Sequence, residues 1–189
     1  MASPSEKLAE SLEKLQALQD NGVVAITKGE LSRVHRERLV KNGFLNEVLN
    51  GWYVAIPNNP LGGESTAWFT SYWAFCAQYL KARFGDAYCI SAEQSLMLHA
   101  GSTTVPSQLI IRAPKGNNTA TKLIYNTSLF VMKSSLPEVA QIHPFNGLRA
   151  LSLESAIVHC MPSTFQKNAI DARAALMMVK DSSQLLSIL

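Results

Sequence analysis

No apolar run in the chain approaches the roughly 18 residues that a membrane-crossing helix needs, so no membrane partner is expected. The opening MASPSEKLAESLEKL has no apolar core and carries acids early, which argues against a secretory leader. Cysteines are few: Cys76, Cys89 and Cys160 follow no metal-ligand spacing and have apolar neighbours. They read as reduced core thiols of a cytoplasmic protein. Charged residues make up 16% and the net charge is +3, too slight to indicate a nucleic acid by itself. Internal repeats and low-complexity segments are also lacking. What is present in quantity is apolar side chain, 47% of 189 residues, enough to build one large domain or two small ones.

Positive charge is concentrated early, in residues 29–57, GELSRVHRERLVKNGFLNEVLNGWYVAIP. Ser32 is placed to cap a short helix, and Asn42-Gly43 to stop it. Two strand-like runs, 44–49 and 52–56, flank Asn50-Gly51, the signature of a hairpin with a type I′ turn. Helical periodicity puts Leu31, Val34 and Leu39 on one side, with His35 and Arg38 beside them. Arg33, Arg36 and Val40 fall on the other, near Glu37. Lys28, Arg33, Arg36, Arg38 and Lys41 outnumber Glu30 and Glu37, as a phosphate backbone would require. A basic helix leading straight into a hairpin is the helix-plus-wing half of a winged helix, a recurring geometry for docking on DNA.

Around this stretch the elements follow in order. Ser3-Pro4-Ser5-Glu6 is a capping box, and Leu8, Leu12, Leu15 and Leu18 give the following helix an apolar stripe up to Asp20-Asn21-Gly22. A short β-branched strand is expected over 23–26. Between it and Ser32 there is room for about one helical turn, unless 27–42 is a single helix. Residues 57–63, rich in Pro, Asn and Gly, read as a linker, giving domains at 1–57 and 64–189 with 58–63 between them. A long helix capped by Ser65 or Thr66 runs to about Arg83. Its aromatics read as core rather than as a base-stacking stripe. Ser91–Gln94 cap a helix ending at Gly101. Strands are expected at 107–113, 123–125, 128–133, 138–142 and 148–151, and helices at 153–160, 165–180 and 181–189. The fold class is therefore α+β, an N-terminal winged helix followed by a small mixed α/β domain.

RERLVKNGFLNEVLNGWYVAIP resembles the winged-helix end of AbiEi-type abortive-infection antitoxins, and GLRALSLESAIVHC resembles their C-terminal segment. The intervening GESTAWFTSYWAFCAQYLKARFGDAYCISAEQSLMLHAG is similar to a segment ahead of some Fic catalytic domains. The resemblance implies a DNA-binding antitoxin of the autorepressing kind, a type IV system with double-stranded promoter DNA and a cognate toxin as partners. Carried over by position, Arg33, Arg36, Lys41 and Asn50 face DNA. Lys28 joins them from the basic cluster, and Lys115 is a further candidate phosphate contact. The alternative is a non-catalytic regulatory or interaction module of a Fic-type system.

No catalytic constellation is legible, and no cofactor is expected. His143–Arg149, HPFNGLR, opens like the Fic loop but lacks its second glycine turn, so it reads as a strand end and turn. Ala113–Asn118 has no Gly-Lys-Ser/Thr and reads as a turn. His99 and His159 lie in apolar helical runs and read as core or boundary histidines, not metal ligands.

Overall fold

The computed structural model describes residues 3–55 and 64–189. The linker expected at 58–63, and Pro57 before it, lie outside the described residues. The chain is α+β and packs as two compact units. One holds the described residues up to Tyr79 together with Lys122–Asn126; the other holds Leu80–Thr121 and Thr127–Leu189.

In the first unit, α1 (Pro4–Asp20) begins as its sequence dictates. Ser3 Oγ accepts the Glu6 N–H, and the Glu6 carboxylate accepts the Ser3 N–H at 2.6 Å. It ends on Asn21 and Gly22, whose φ of 73° lets the N–H groups of Gly22 and Val23 return to the carbonyls of Gln19 and Leu18. The strand expected at 23–26 is shorter and later, β1 (Ile26–Thr27). The N–H groups of Val24 and Ala25 donate instead to Gln78 Oε1, at 2.9 and 2.8 Å. Next, the Thr27 carbonyl accepts from the N–H groups of Glu30 and Leu31, so the space before Ser32 holds one turn.

After that turn come α2 (Arg33–Lys41), β2 (Leu45–Leu49) and β3 (Trp52–Ala55). The three strands form an antiparallel sheet of order β1-β3-β2. Leu15, Ile26, Leu31, Leu39 and Leu45 are its buried core. The long helix α3 (Glu64–Phe84) adds an aromatic layer to this unit: Trp52 of β3 meets Tyr79 edge-on at 5.0 Å and Phe75 at 6.5 Å. These contacts are why the division between units falls inside α3, at Tyr79, rather than ahead of it. Trp68, Tyr72, Phe75 and Tyr79 are all buried, as core aromatics should be.

The second unit runs β4 (Cys89–Ile90), α4 (Ala92–His99), β5 (Gln108–Ala113), β6 (Ala120–Lys122) and β7 (Ser128–Lys133). It continues with β8 (Ile142–Phe145), β9 (Leu148–Leu151), α5 (Leu153–His159), α6 (Pro162–Lys167), α7 (Ala169–Met177) and α8 (Ser182–Leu186). A four-stranded sheet of order β4-β5-β7-β6 has β5 and β7 parallel, and β8 and β9 form a separate hairpin. Three expectations shift here. The strand sought at 123–125 lies at β6, because Tyr125 and Asn126 take φ of 51° and 58° and cannot extend. The strand sought at 138–142 starts only at Ile142, after a 3-10 turn at Val139–Gln141. The helix sought at 165–180 is two, broken at Asn168, which ends α6 and begins α7.

Candidate nucleic-acid interface

Helix α2 is held from below. Leu31 and Leu39 are fully buried, and His35 lies against α1 in a chain of hydrogen bonds. The Lys14 ammonium can only donate, so His35 Nε2 accepts from it at 2.8 Å and Nδ1 donates to Ser11 Oγ at 3.0 Å. Ser11 Oγ donates to the Lys7 carbonyl at 2.9 Å and also accepts from Arg38, at 2.8 Å. Arg38 reaches the Lys7 carbonyl as well, at 2.6 Å, and is thereby committed to α1. At the far end, Gly43 at φ 74° lets the Gly43 and Phe44 N–H groups return to Val40 and Leu39, closing the helix as expected.

Two side chains sit differently from their helical-wheel positions. Val34, expected beside Leu31 and Leu39, is 60% exposed: α1 packs on His35 and Leu39, while Val34 lines an open groove with Lys7 and Leu8. Arg36, expected on the free face, is docked. Its guanidinium lies 5.4 Å from the Tyr53 ring centroid and donates to the Leu31 carbonyl at 3.1 Å. Tyr53 in turn has its hydroxyl pKa raised, first by burial and then by Glu47, against the lowering pull of Arg36. Arg36 thus joins the helix to the hairpin.

The outward face of α2 carries Arg33, Val34, Glu37, Val40 and Lys41. Arg33 Nε lies 2.6 Å from Glu37 Oε1, with the two side chains 82% and 61% exposed. That carboxylate raises the Arg33 pKa further, by hydrogen bond and then by charge. Lys41 is exposed on the side toward α1, where it lines a groove of about 680 Å³ with Lys7, Leu8 and Val34. At the start of α2 the chain does little to stabilise its own helix. Ser32 occupies the N-cap position but makes no side-chain cap bond, and the first turn contains no acid.

Beside α2 stands the β2–β3 hairpin. Its Asn50-Gly51 turn is not type I′, since only Gly51 takes a positive φ, 79°. Glu47 Oε1 accepts the Gly51 N–H at 3.0 Å, and the register slips between Glu47 and Leu49. Asn50 is exposed at the tip. Lys28 lies alongside, its Cδ and Cε 3.9 Å from where a Cβ on Gly51 would be.

No protein-family model matches the chain, and no curated protein matches it.

Of the candidate residues, then, Arg33 and Lys41 share the exposed face of α2. Lys28 and Asn50 sit at the hairpin tip, and Arg36 is inside the helix–hairpin joint. Lys115 is exposed in the turn after β5, in the second unit. Periodicity alone missed the exposure of Val34 and the central place of Glu37. Elsewhere, His143–Arg149 belongs to the β8–β9 hairpin, whose Asn146 and Gly147 both take positive φ, 50° and 81°. His99 is partly buried and bonds the Leu151 carbonyl at 2.8 Å; His159 is exposed, against expectation, because α5 turns that side to solvent. No group of three or more His, Cys, Asp or Glu suited to a metal occurs among the described residues. Among them, too, no helix is long and apolar enough to cross a membrane.

Proposed function

We propose that this chain is a DNA-binding transcriptional regulator of the antitoxin type, acting in the cytoplasm, and that residues 3–55 form its winged helix. The element order α1-β1-α2-β2-β3, with β1 paired to β3, supports that reading; the usual second helix is reduced to the turn at Thr27–Leu31. The observation that carries it is the outward face of α2. Five side chains on one face of the helix, Arg33, Val34, Glu37, Val40 and Lys41, are uncovered within their unit, next to a hairpin tip bearing Lys28 and Asn50. A helix seated firmly on one side and open on the other can enter a major groove while the hairpin touches the flanking backbone. The partner is double-stranded promoter DNA, and a cognate toxin is the second partner that the AbiEi resemblance supports. No enzymatic step is assigned, because His143 opens a hairpin and not a phosphate-cradling loop.

Fluorescence anisotropy with duplex DNA from upstream of the protein's own gene tests this. The full chain should bind with affinity that falls steeply with salt. Replacing a phosphate-contacting cation, Lys28 or Lys41, with Ala should lower the log–log salt slope by about 0.9. Binding indifferent to salt and to both replacements would refute the reading. No binding to any duplex would refute it too, and would favour the interaction-module alternative, in which a neighbouring or fused Fic domain is the partner.

A further inference from the structure

The Arg33–Glu37 pair is built against the interests of its own helix. Arg33 is the first residue of α2, where the positive end of the helix dipole disfavours a cation. Charge pairs four residues apart also stabilise a helix better with the acid nearer the N-terminus, the reverse of this order. Both side chains are mostly exposed, at 82% and 61%, so the 2.6 Å contact adds little to stability. Glu37, at the middle of the uncovered face, would repel a phosphate backbone. A binding surface selected for charge alone would not place it there.

Inside a major groove the same arrangement makes chemical sense. A guanidinium forks onto O6 and N7 of guanine, and a carboxylate behind it fixes the plane of the fork. The two apolar side chains beside the pair, Val34 and Val40, are 60% and 41% exposed, and the thymine methyl is the apolar feature of the major groove. On the reading that α2 enters the major groove, we propose that Arg33 and Glu37 act as one base-reading unit. Arg33 reads a guanine, Glu37 positions it, and Val34 and Val40 meet thymine methyls on either side.

Selection from a randomised duplex library with the full chain, followed by affinity measurements on selected and scrambled duplexes, tests this. The selected sites should share a guanine with neighbouring thymines. Arg33→Lys keeps the charge and loses the fork, so the ratio of selected-site to scrambled-site affinity should fall about tenfold. Glu37→Gln should lower the same ratio while strengthening binding to scrambled duplex, because it removes a negative charge from the face. Replacing thymine by uracil at the flanking positions should weaken wild type and leave Val34→Ala less affected. DNA binding whose base preference survives both Arg33→Lys and Glu37→Gln would overturn the proposal while leaving the regulator intact. A chain that binds no duplex at all would overturn both.

Discussion

Arg33 and Arg36 lie three residues apart in α2 and have opposite surroundings. Arg33 pairs with Glu37 at the surface, whereas Arg36 spans from the Leu31 carbonyl to the Tyr53 ring. Arg33→Ala should therefore leave thermal stability unchanged. Arg36→Ala should cost about 1 kcal/mol, lowering the melting temperature by a few degrees, because a cation–π contact and a charged hydrogen bond are lost together. Thermal melts of the two variants check this, and equal melting temperatures would contradict the docked position of Arg36. Three thiols give a second prediction. Burial pushes Cys76 and Cys160 up to about 12 and Cys89 up to about 11, against an ordinary value of 9.0. Between about pH 9 and those values, the folded chain holds protons that the unfolded chain has released. Stability must then fall as pH rises. Urea midpoints should hold level from pH 7 to 8 and decline above 9, and a variant with all three cysteines replaced by Ala should decline less.

Among the elements, the turn between β5 and β6 leaves no room for an added side chain at Gly116. A Cβ on Gly116 would lie 2.6 Å from the backbone of Met132 and Lys133 in β7, where nothing flexible can yield. Gly116→Ala should destabilise by about 1–3 kcal/mol, read as a lower urea midpoint, while Gly85→Ala, at φ 59° with nothing within 4 Å of an added Cβ, should show backbone strain alone. The two Asn-Gly hairpins mark the boundary of what local sequence can tell. Asn146-Gly147 adopts the type I′ turn that the dipeptide favours; Asn50-Gly51 does not, because Glu47 captures the Gly51 N–H and the strand slips. Capping signals were legible in part for the same local reason; Ser32 makes no cap bond, and Ser65 and Thr66 lie inside α3 rather than ahead of it. The signals that held, Ser3 with Glu6, Ser91 with Gln94 and Gly43 after α2, all act within a few residues of themselves. Orientation was not legible: whether Val34 or Arg36 is covered depends on which side of α2 meets α1 and the hairpin, and the helical repeat carries no record of that.

At the scale of the whole chain, the long aromatic helix decides where one unit ends. Its helical period and burial could be read from the sequence. That Phe75 and Tyr79 would receive Trp52 could not, since the partners are more than twenty residues apart. A fragment of residues 1–57 lacks that helix, and it should be largely unfolded by circular dichroism and show no thermal transition. Extension to residue 84 should restore helical signal well beyond the added length. A cooperative transition in the shorter fragment would mean that its own core suffices.

Gln78 has a further consequence for how the molecule can be watched. Its side-chain oxygen accepts from Val24 and Ala25, and its amide nitrogen donates to the Gly22 carbonyl at 2.7 Å. Those two backbone amides belong to no helix or strand, so what guards them from deuterium is a residue more than fifty positions away. Their isotope exchange therefore reports the docking of α3 and not the fraying of the segment that contains them. In Gln78→Ala the two amides should exchange much faster while those of β3 keep their protection. In the native chain they should open together with the amides of α3, giving two resonances that time a single cooperative event.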